Sequence, residues 1–397
     1  MPYGAFNGVV AVAIPYLLRR QGVSVERIAA IVALVQAPAI WYVLWAPVVD
    51  IKFRRRTWVV MLSLASAIAA ATALSLTTKG LIRSATALFV VASALNQPVS
   101  SAVGGLVAAV MSPAQRGRAA GWSQAGVLGG GVLSAGVAVW LADLASARTV
   151  GVVVGMLIAL PSLVAILVDE PIGDRSNRGA HIRRMVRELA VVVRRRDIWL
   201  GIAFFVSPAC AGALMNVFAG IAVDYHSSPT VVVAVVVLGG VLTAGGALAG
   251  GFVLDRIDRW RAYPIAALLT SGVTAAMIFA PLRPATYIIG AAAYALVTGF
   301  GYAAFMALAL DLVGSDMLAG GTLFTLLTAA LNIPVVYMLR LDGLGYGRFG
   351  IRGMLGADAL GNVLAAIVLV MLLARWQPPV SAAGRAVSRS QPRPESV

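Results

Sequence analysis

The chain has 397 residues, 60% hydrophobic and 12% charged, with a net charge of +15. Soluble domains carry about 25% charged residues, so the surplus apolar surface faces lipid, which excludes a soluble globular protein. All 31 basic residues except Lys52 and Lys79 are arginine, and they sit in short clusters between apolar runs, which excludes a nucleic-acid-binding face.

A spanning helix needs about 20 mostly apolar residues. Twelve such spans are predicted, near 2–18, 28–49, 57–78, 84–111, 117–141, 149–168, 198–222, 229–254, 262–281, 285–310, 317–339 and 353–374. The predicted fold is therefore an all-α membrane protein of two six-helix bundles, 1–168 and 198–374. A cytoplasmic linker, 169–197, joins them, and a disordered tail follows at 375–397. The first span has neither a charged leader nor a small-residue cleavage site, so it reads as a span and not a signal peptide. Having no flank in front of it, it points to a true start upstream.

The stretch 41–56 is an apolar run that meets Asp50 and then Lys52, Arg54, Arg55 and Arg56. The stretch 250–261 repeats the pattern with Asp255, Arg256 and Arg259, the two aspartates lying 205 residues apart. A helix-end signature repeated at half-length predicts two similar halves. With the N-terminus inside, 21 basic residues fall on cytoplasmic segments and 10 on the opposite side. That excess places both termini in the cytoplasm. In the linker, Ile182, Met185, Val186, Leu189 and Val193 share one helical face and Arg183, Arg184 and Arg187 fill the rest, as in a helix lying on an anionic membrane surface.

Cys210 is the one cysteine, so an intrachain disulfide and a cysteine-based metal site are excluded. His181 and His226 are 45 positions apart without ligand-type neighbours at helical spacing, and nothing calls for a metal or cofactor. The acidic residues are predicted in loops or near helix ends. Asp311 and Asp358 come closest to the membrane interior and are the candidates for coupling, each expected near the interface.

Neutral polar residues at depth cluster on equivalent helices of both halves: Asn7, Gln36, Tyr42, Asn96, Gln97 and Ser101 in the first, and Asn216, Tyr294, Thr298, Tyr302 and Asn332 in the second. Singly, each reads as polar glue worth about 0.6 kcal/mol per bond. As a set they are expected to wall a cavity. The glycines of spans five and eight, including Gly126, Gly136, Gly239, Gly240, Gly245 and Gly246, are predicted to let helices approach closely rather than to cradle phosphate.

Twelve spans split six and six, a basic central loop, and Asp with Arg after spans two and eight resemble the major facilitator superfamily. Gly251-x-x-x-Asp255-Arg256 resembles its signature between spans eight and nine; the first copy departs from it with Pro47 and Ile51. The run P-A-Q-R-G-R-A at 113–119 resembles its turn before span five. More narrowly, L-W-A-P-V-V-D at 44–50 and G-G-T-L-F-T-L-L at 320–327 resemble the AmpG-like branch of muropeptide permeases, acetyl-coenzyme A transporters and siderophore importers. That branch commonly places acidic residues in span four, where this chain has Asn96, Gln97 and Ser101.

The resemblance implies that Asp50 and Asp255 clamp a cytoplasmic gate against Arg54, Arg55, Arg56, Arg116, Arg256 and Arg259 and against helix N-termini. It also implies halves that rock about a central site. The function implied is a monomeric transporter, secondary active or facilitated, in a bacterial inner membrane for a small-to-medium organic solute, siderophore- or muropeptide-like, a proton being the candidate co-transported ion. A drug or metabolite efflux permease is the alternative. A membrane-embedded sensor or enzyme is disfavoured by the lack of a catalytic constellation.

Overall fold

The structure, a computed structural model, describes residues 1–44, 53–77, 80–110, 116–169, 194–254, 256–313 and 320–376. Asp50, Asp255, the linker helix face at 182–193 and the tail from 377 on lie outside the described residues.

Among the described residues all regular elements are helical, and they make twelve successive segments. They are α1 (2–20), α2 (25–44), α3 (Arg55–Thr77), α4 (Ile82–Val110), α5 (Arg116–Leu144) and α6 (147–167) in the first half. The second half holds α7 (196–225), α8 (Pro229–Leu254), α9 (Arg259–Phe279), α10 (Pro284–Val313), α11 (320–348) and α12 (351–376). Short turns reverse the chain at 21–24, 145–146, 226–228, 280–283 and 349–350. Gly22, at φ +77°, makes the α1–α2 turn, and Ser24 then caps α2 by accepting from the Arg27 amide at 3.4 Å. Asp258 caps α9 through the Trp260 amide at 3.2 Å.

Two segments differ from expectation. α7 is not continuous over 198–222: it breaks at 207–212, where Pro208 removes a donor and Cys210 and Gly212 take left-handed φ of 65° and 60°. Two carbonyls at the break recover partners, as an interrupted membrane helix requires: the Tyr337 hydroxyl donates to Val206 at 2.8 Å and the Ser207 hydroxyl to Phe204 at 2.6 Å. α11 does not end at 339. It runs to 348, leaving only Phe349 and Gly350 outside helical geometry before α12.

Glycine sets the closest helix contacts in both halves. A Cβ on Gly4 or Gly8 of α1 would meet the Val127 or Gly131 carbonyl of α5 at 1.9 and 2.1 Å. One on Gly246 of α8 or Gly299 of α10 would meet the Leu296 or Thr243 carbonyl at 2.0 Å. Backbones this close admit no side chain, the packing that drives helix association in lipid.

The main apolar core crosses between the halves at the end of the bundle that carries Arg19: Ile14, Val25, Ile28 and Val32 pack in one cluster with Leu214, Phe218, Met338 and Leu355. Toward the end that carries Arg54 the buried clusters separate. One, Val59, Val99 and Ala102, belongs to the first half, and the other, around Phe204, Trp260 and Leu308, to the second.

Candidate functional site

Between the halves lies a cavity of about 400 Å³, lined by α1, α2, α4 and α5 from one side and α7, α8, α10 and α11 from the other. Six of the eleven residues expected on a cavity wall line it: Asn7, Gln36, Gln97, Asn216, Tyr302 and Asn332. At 1.5 Å per residue Asn7 stands about 20 Å from Arg20, and Gln36 about 18 Å from Ser24, so the amides lie deep in the bundle. Gln36 Nε2 donates to Asn216 Oδ1 at 3.0 Å, a bond from one half to the other across the wall. The interruption of α7 contributes Ala211 and Gly212, which brings main-chain groups to the lining beside the amide side chains.

The other five stand elsewhere. Asn96 is buried behind α1, donating to the Tyr3 carbonyl at 3.3 Å. Thr298 is buried under Gly212. Tyr42 pairs with Thr325, and Ser101 is half-buried on α4 outside the lining. Tyr294 is buried and points its hydroxyl at Asp358 Oδ1, 3.3 Å away. Residues not expected on the wall include Met215, Phe218, Thr243 and Tyr287.

The Arg19 end is held shut by contacts between the halves. Arg19 Nη2 donates to Asp224 Oδ1 at 3.3 Å and to the Tyr346 hydroxyl at 3.2 Å, and that hydroxyl donates to the same carboxylate oxygen at 2.8 Å. The guanidinium also faces the Tyr346 ring at 6.0 Å. Below this triad Gly220 sits against Pro15, and Gly343 and Gly347 against Ala29 and Glu26. At the opposite end, Arg56 Nη1 donates to the Val168 carbonyl at 3.1 Å, and Arg259 pairs with Asp311, each a contact inside one half. Arg54 and Arg256 are exposed and Arg55 half-buried, while the Arg116 side chain is outside the description.

Asp358 is buried inside the protein, and it has a buried companion that sequence reading assigned to a loop. Asp342 is 0% and Asp358 1% exposed, both inside the second half. Tyr294 of α10 and Asn362 of α12, with Thr274 of α9, complete the cluster. The physical reason for the difference is the extra length of α11: the helix continues through the polar stretch at 340–348, turning Arg340 out and Asp342 in.

Residues 1–336 match the family model described as Major Facilitator Superfamily. The chain belongs to the major facilitator superfamily. No curated protein matches it in sequence. Among solved structures it is similar to a D-xylose-proton symporter, with a TM-score of 0.73 and 13% identity over 96% of this chain and 97% of that one. It is also similar to the xylose transporter XylE from E. coli in an inward open conformation (0.69, 12% identity, 98% and 97% covered). A third likeness is a mutant form of the nucleoside transporter NupG (0.71, 12% identity, 94% and 96% covered).

As a major facilitator protein the chain is a multi-pass membrane transporter of small solutes, and its cavity between two six-helix halves is where such a solute has room. Two features of this major facilitator chain left a readable signal that the span rule passed over. Met338, Leu339 and Asp342 are buried at helical spacing, continuing the α11 stripe past Arg340. The sequence S-P-A-C-A-G at 207–212 combines a proline and a glycine inside an apolar span, the usual mark of an interrupted helix.

Proposed function

We propose that the chain moves a polar, uncharged organic solute of modest size across a bacterial inner membrane by alternating access. The observation that carries this reading is the amide-lined cavity shared by both halves and sealed at the Arg19 end by contacts that cross between them. Alternating access needs a seal that breaks without unfolding either half, and the Arg19–Asp224–Tyr346 triad is such a seal. The excess of arginine at the other end makes that end cytoplasmic, so this is a state closed to the outside.

The lining sets the solute class. It presents Asn7, Gln36, Gln97, Asn216, Asn332, Tyr3 and Tyr302 and no charged side chain among the described residues. Amides and phenols both donate and accept, and such groups fix hydroxyl- and amide-bearing solutes while leaving no buried charge unpaired. A volume of about 400 Å³ is at the small end of ligand pockets, which run from about 300 to 1,000 Å³. A siderophore- or muropeptide-like solute therefore needs the cavity to widen, and a smaller hydroxylated solute does not. Asp311, paired with Arg259 near a helix end, ties α9 to α10.

The test is transport into proteoliposomes of a panel comprising a monosaccharide, a nucleoside, a ferric siderophore, a labelled muropeptide and a lipophilic dye. Saturable movement of a neutral hydroxylated solute, weakened by Gln36→Ala and Asn216→Ala, supports the reading. Movement of the dye alone makes the chain an efflux permease, and movement of none of them overturns the solute class.

A further inference from the structure

The pair Asp342 and Asp358 takes no part in the cavity wall. α11 and α12 leave their turn antiparallel, and Gly345 and Gly353 bring the two backbones together: a Cβ on either would lie 2.4 or 2.2 Å from the carbonyl oxygen of the other. That register puts residues 342 and 358 at the same depth, roughly 10 Å inside the turn at 1.5 Å of rise per residue. The two carboxylates stand within electrostatic range of each other and of Tyr294.

Acceptors outnumber donors here. The Tyr294 hydroxyl serves Asp358 Oδ1; Thr274 and Asn362 also lie beside that carboxyl, but the Thr274 hydroxyl donates to the Thr270 and Ser271 carbonyls at 3.2 Å and Asn362 Nδ2 to the Asp358 carbonyl. Both Asp342 oxygens, Asp358 Oδ2 and Asn362 Oδ1 are buried without a hydrogen-bond partner among the described residues. Asn362 is itself 2% exposed, so its unserved oxygen is a second sign, separate from the carboxylates, that the cluster lacks a donor. No cation compensates the pair among the described residues. From α9 comes Thr274, from α10 Tyr294, and from α2 Glu26, which lies against Gly343 and Gly347 and adds negative charge. Tyr346, one turn along α11, is engaged by Arg19 and Asp224, and Arg340, Arg348 and Arg352 are exposed. Two like charges in a desolvated site do not both stay ionised.

We propose that Asp342 and Asp358 form a proton-binding site that holds one proton on the pair, behind the cavity wall and reached past Tyr294. A proton from water adds to one carboxylate oxygen, the site passes from doubly to singly negative, and the new O–H supplies the missing donor. Release to water reverses the step. Tyr294 links the site to the cavity, since Ala291 and Ala295 on the same helix line the wall and Phe218, also on the wall, stacks edge-on against its ring at 5.4 Å. The transport reading bears only on what such a proton drives.

The test is infrared difference spectroscopy of the full chain in liposomes without solute, titrated from acid to alkaline pH and read in water and deuterium oxide. Expected is a deuterium-sensitive carbonyl band of a protonated carboxylic acid at neutral pH, lost on alkaline titration and absent from the Asp342→Asn/Asp358→Asn double variant. In either single variant, relief of the like charge moves its disappearance to lower pH. Absence of the band in the unaltered chain, a reading that needs no variant to fold, overturns the site, as does its survival in the folded double variant. Loss of the band on adding sodium ions at constant pH makes the pair a sodium site and overturns the proton assignment. Because no solute is present, these results are independent of the transport panel.

Discussion

In the first half the polar side chains buried between helices include Ser63, Ser66, Ser93, Asn96, Gln97 and Ser134, all uncharged, whereas the second half buries Asp342 and Asp358 beside Tyr294 and Asn362. The packing of the halves does not differ in this way. Gly4 and Gly8 seat α1 on α5 much as Gly246 and Gly299 seat α8 on α10, each with main chain against main chain. A neutral hydrogen bond between membrane helices contributes about 0.6 kcal/mol, while a buried acceptor left without a donor costs about 1–3 kcal/mol, and more when it is charged. The lesson is a division of labour: both halves hold their helices by close glycine contacts, and among the described residues only the second buries carboxylates, groups too costly to keep for packing alone.

The strongest challenge to that division is to neutralise the pair. One pH unit across a membrane is worth about 1.4 kcal/mol per proton, a tenfold accumulation. Asp342→Asn and Asp358→Asn should each lose about that tenfold factor per unit of gradient while solute exchange without a gradient persists, read by uptake with and without the gradient. Retained gradient-driven uptake in both would erase the distinction between the halves. The packing side is tested once in each half. Gly4→Leu and Gly246→Leu should each destabilise by about 1–3 kcal/mol through overpacking, seen as drops in thermal unfolding temperature; an unchanged temperature in either would show that its glycine contact does not hold that half together.

Smaller effects sharpen the picture. Arg19→Ala removes a partly exposed ion pair, worth about 0.5–1 kcal/mol, and should raise the population open at that end about two- to fivefold, measured by labelling of a cysteine placed at Pro15. Ser134→Ala, which deletes a 2.6 Å bond from its hydroxyl to the Ala5 carbonyl, should cost about 0.6 kcal/mol of stability and leave transport unchanged. A transport defect there would give the first half a role beyond packing and sealing.

Much of this was legible in the residues. Apolar length and the repeat at Asp50 and Asp255 led to the twelve-segment fold, because lipid forces every backbone group into a helix and so makes spans readable one by one. Asn7, Gln36, Gln97, Asn216, Tyr302 and Asn332 were readable as wall residues because neutral amides and phenols at depth are few. Tyr294 and Asn96 have the same composition yet face away, since helix rotation is set by neighbours that a single span does not reveal. Asp342 was hidden by its neighbours: Arg340, Gly343 and Gly345 give the stretch the look of a loop, and only the hairpin partner α12 makes it worth continuing as helix. The Arg19–Asp224–Tyr346 seal joins residues from three helices far apart in the chain, and no local pattern announces such a contact.

The central claim is that the seal at the Arg19 end opens as a unit between rigid halves. Spin labels at Gln21 and Ser228, both exposed on turns at that end and on opposite halves, report it directly through their distance distribution in liposomes. The account predicts a short population in the unaltered chain and a second, longer one that grows in Asp224→Asn. A single distribution that ignores that substitution would contradict it.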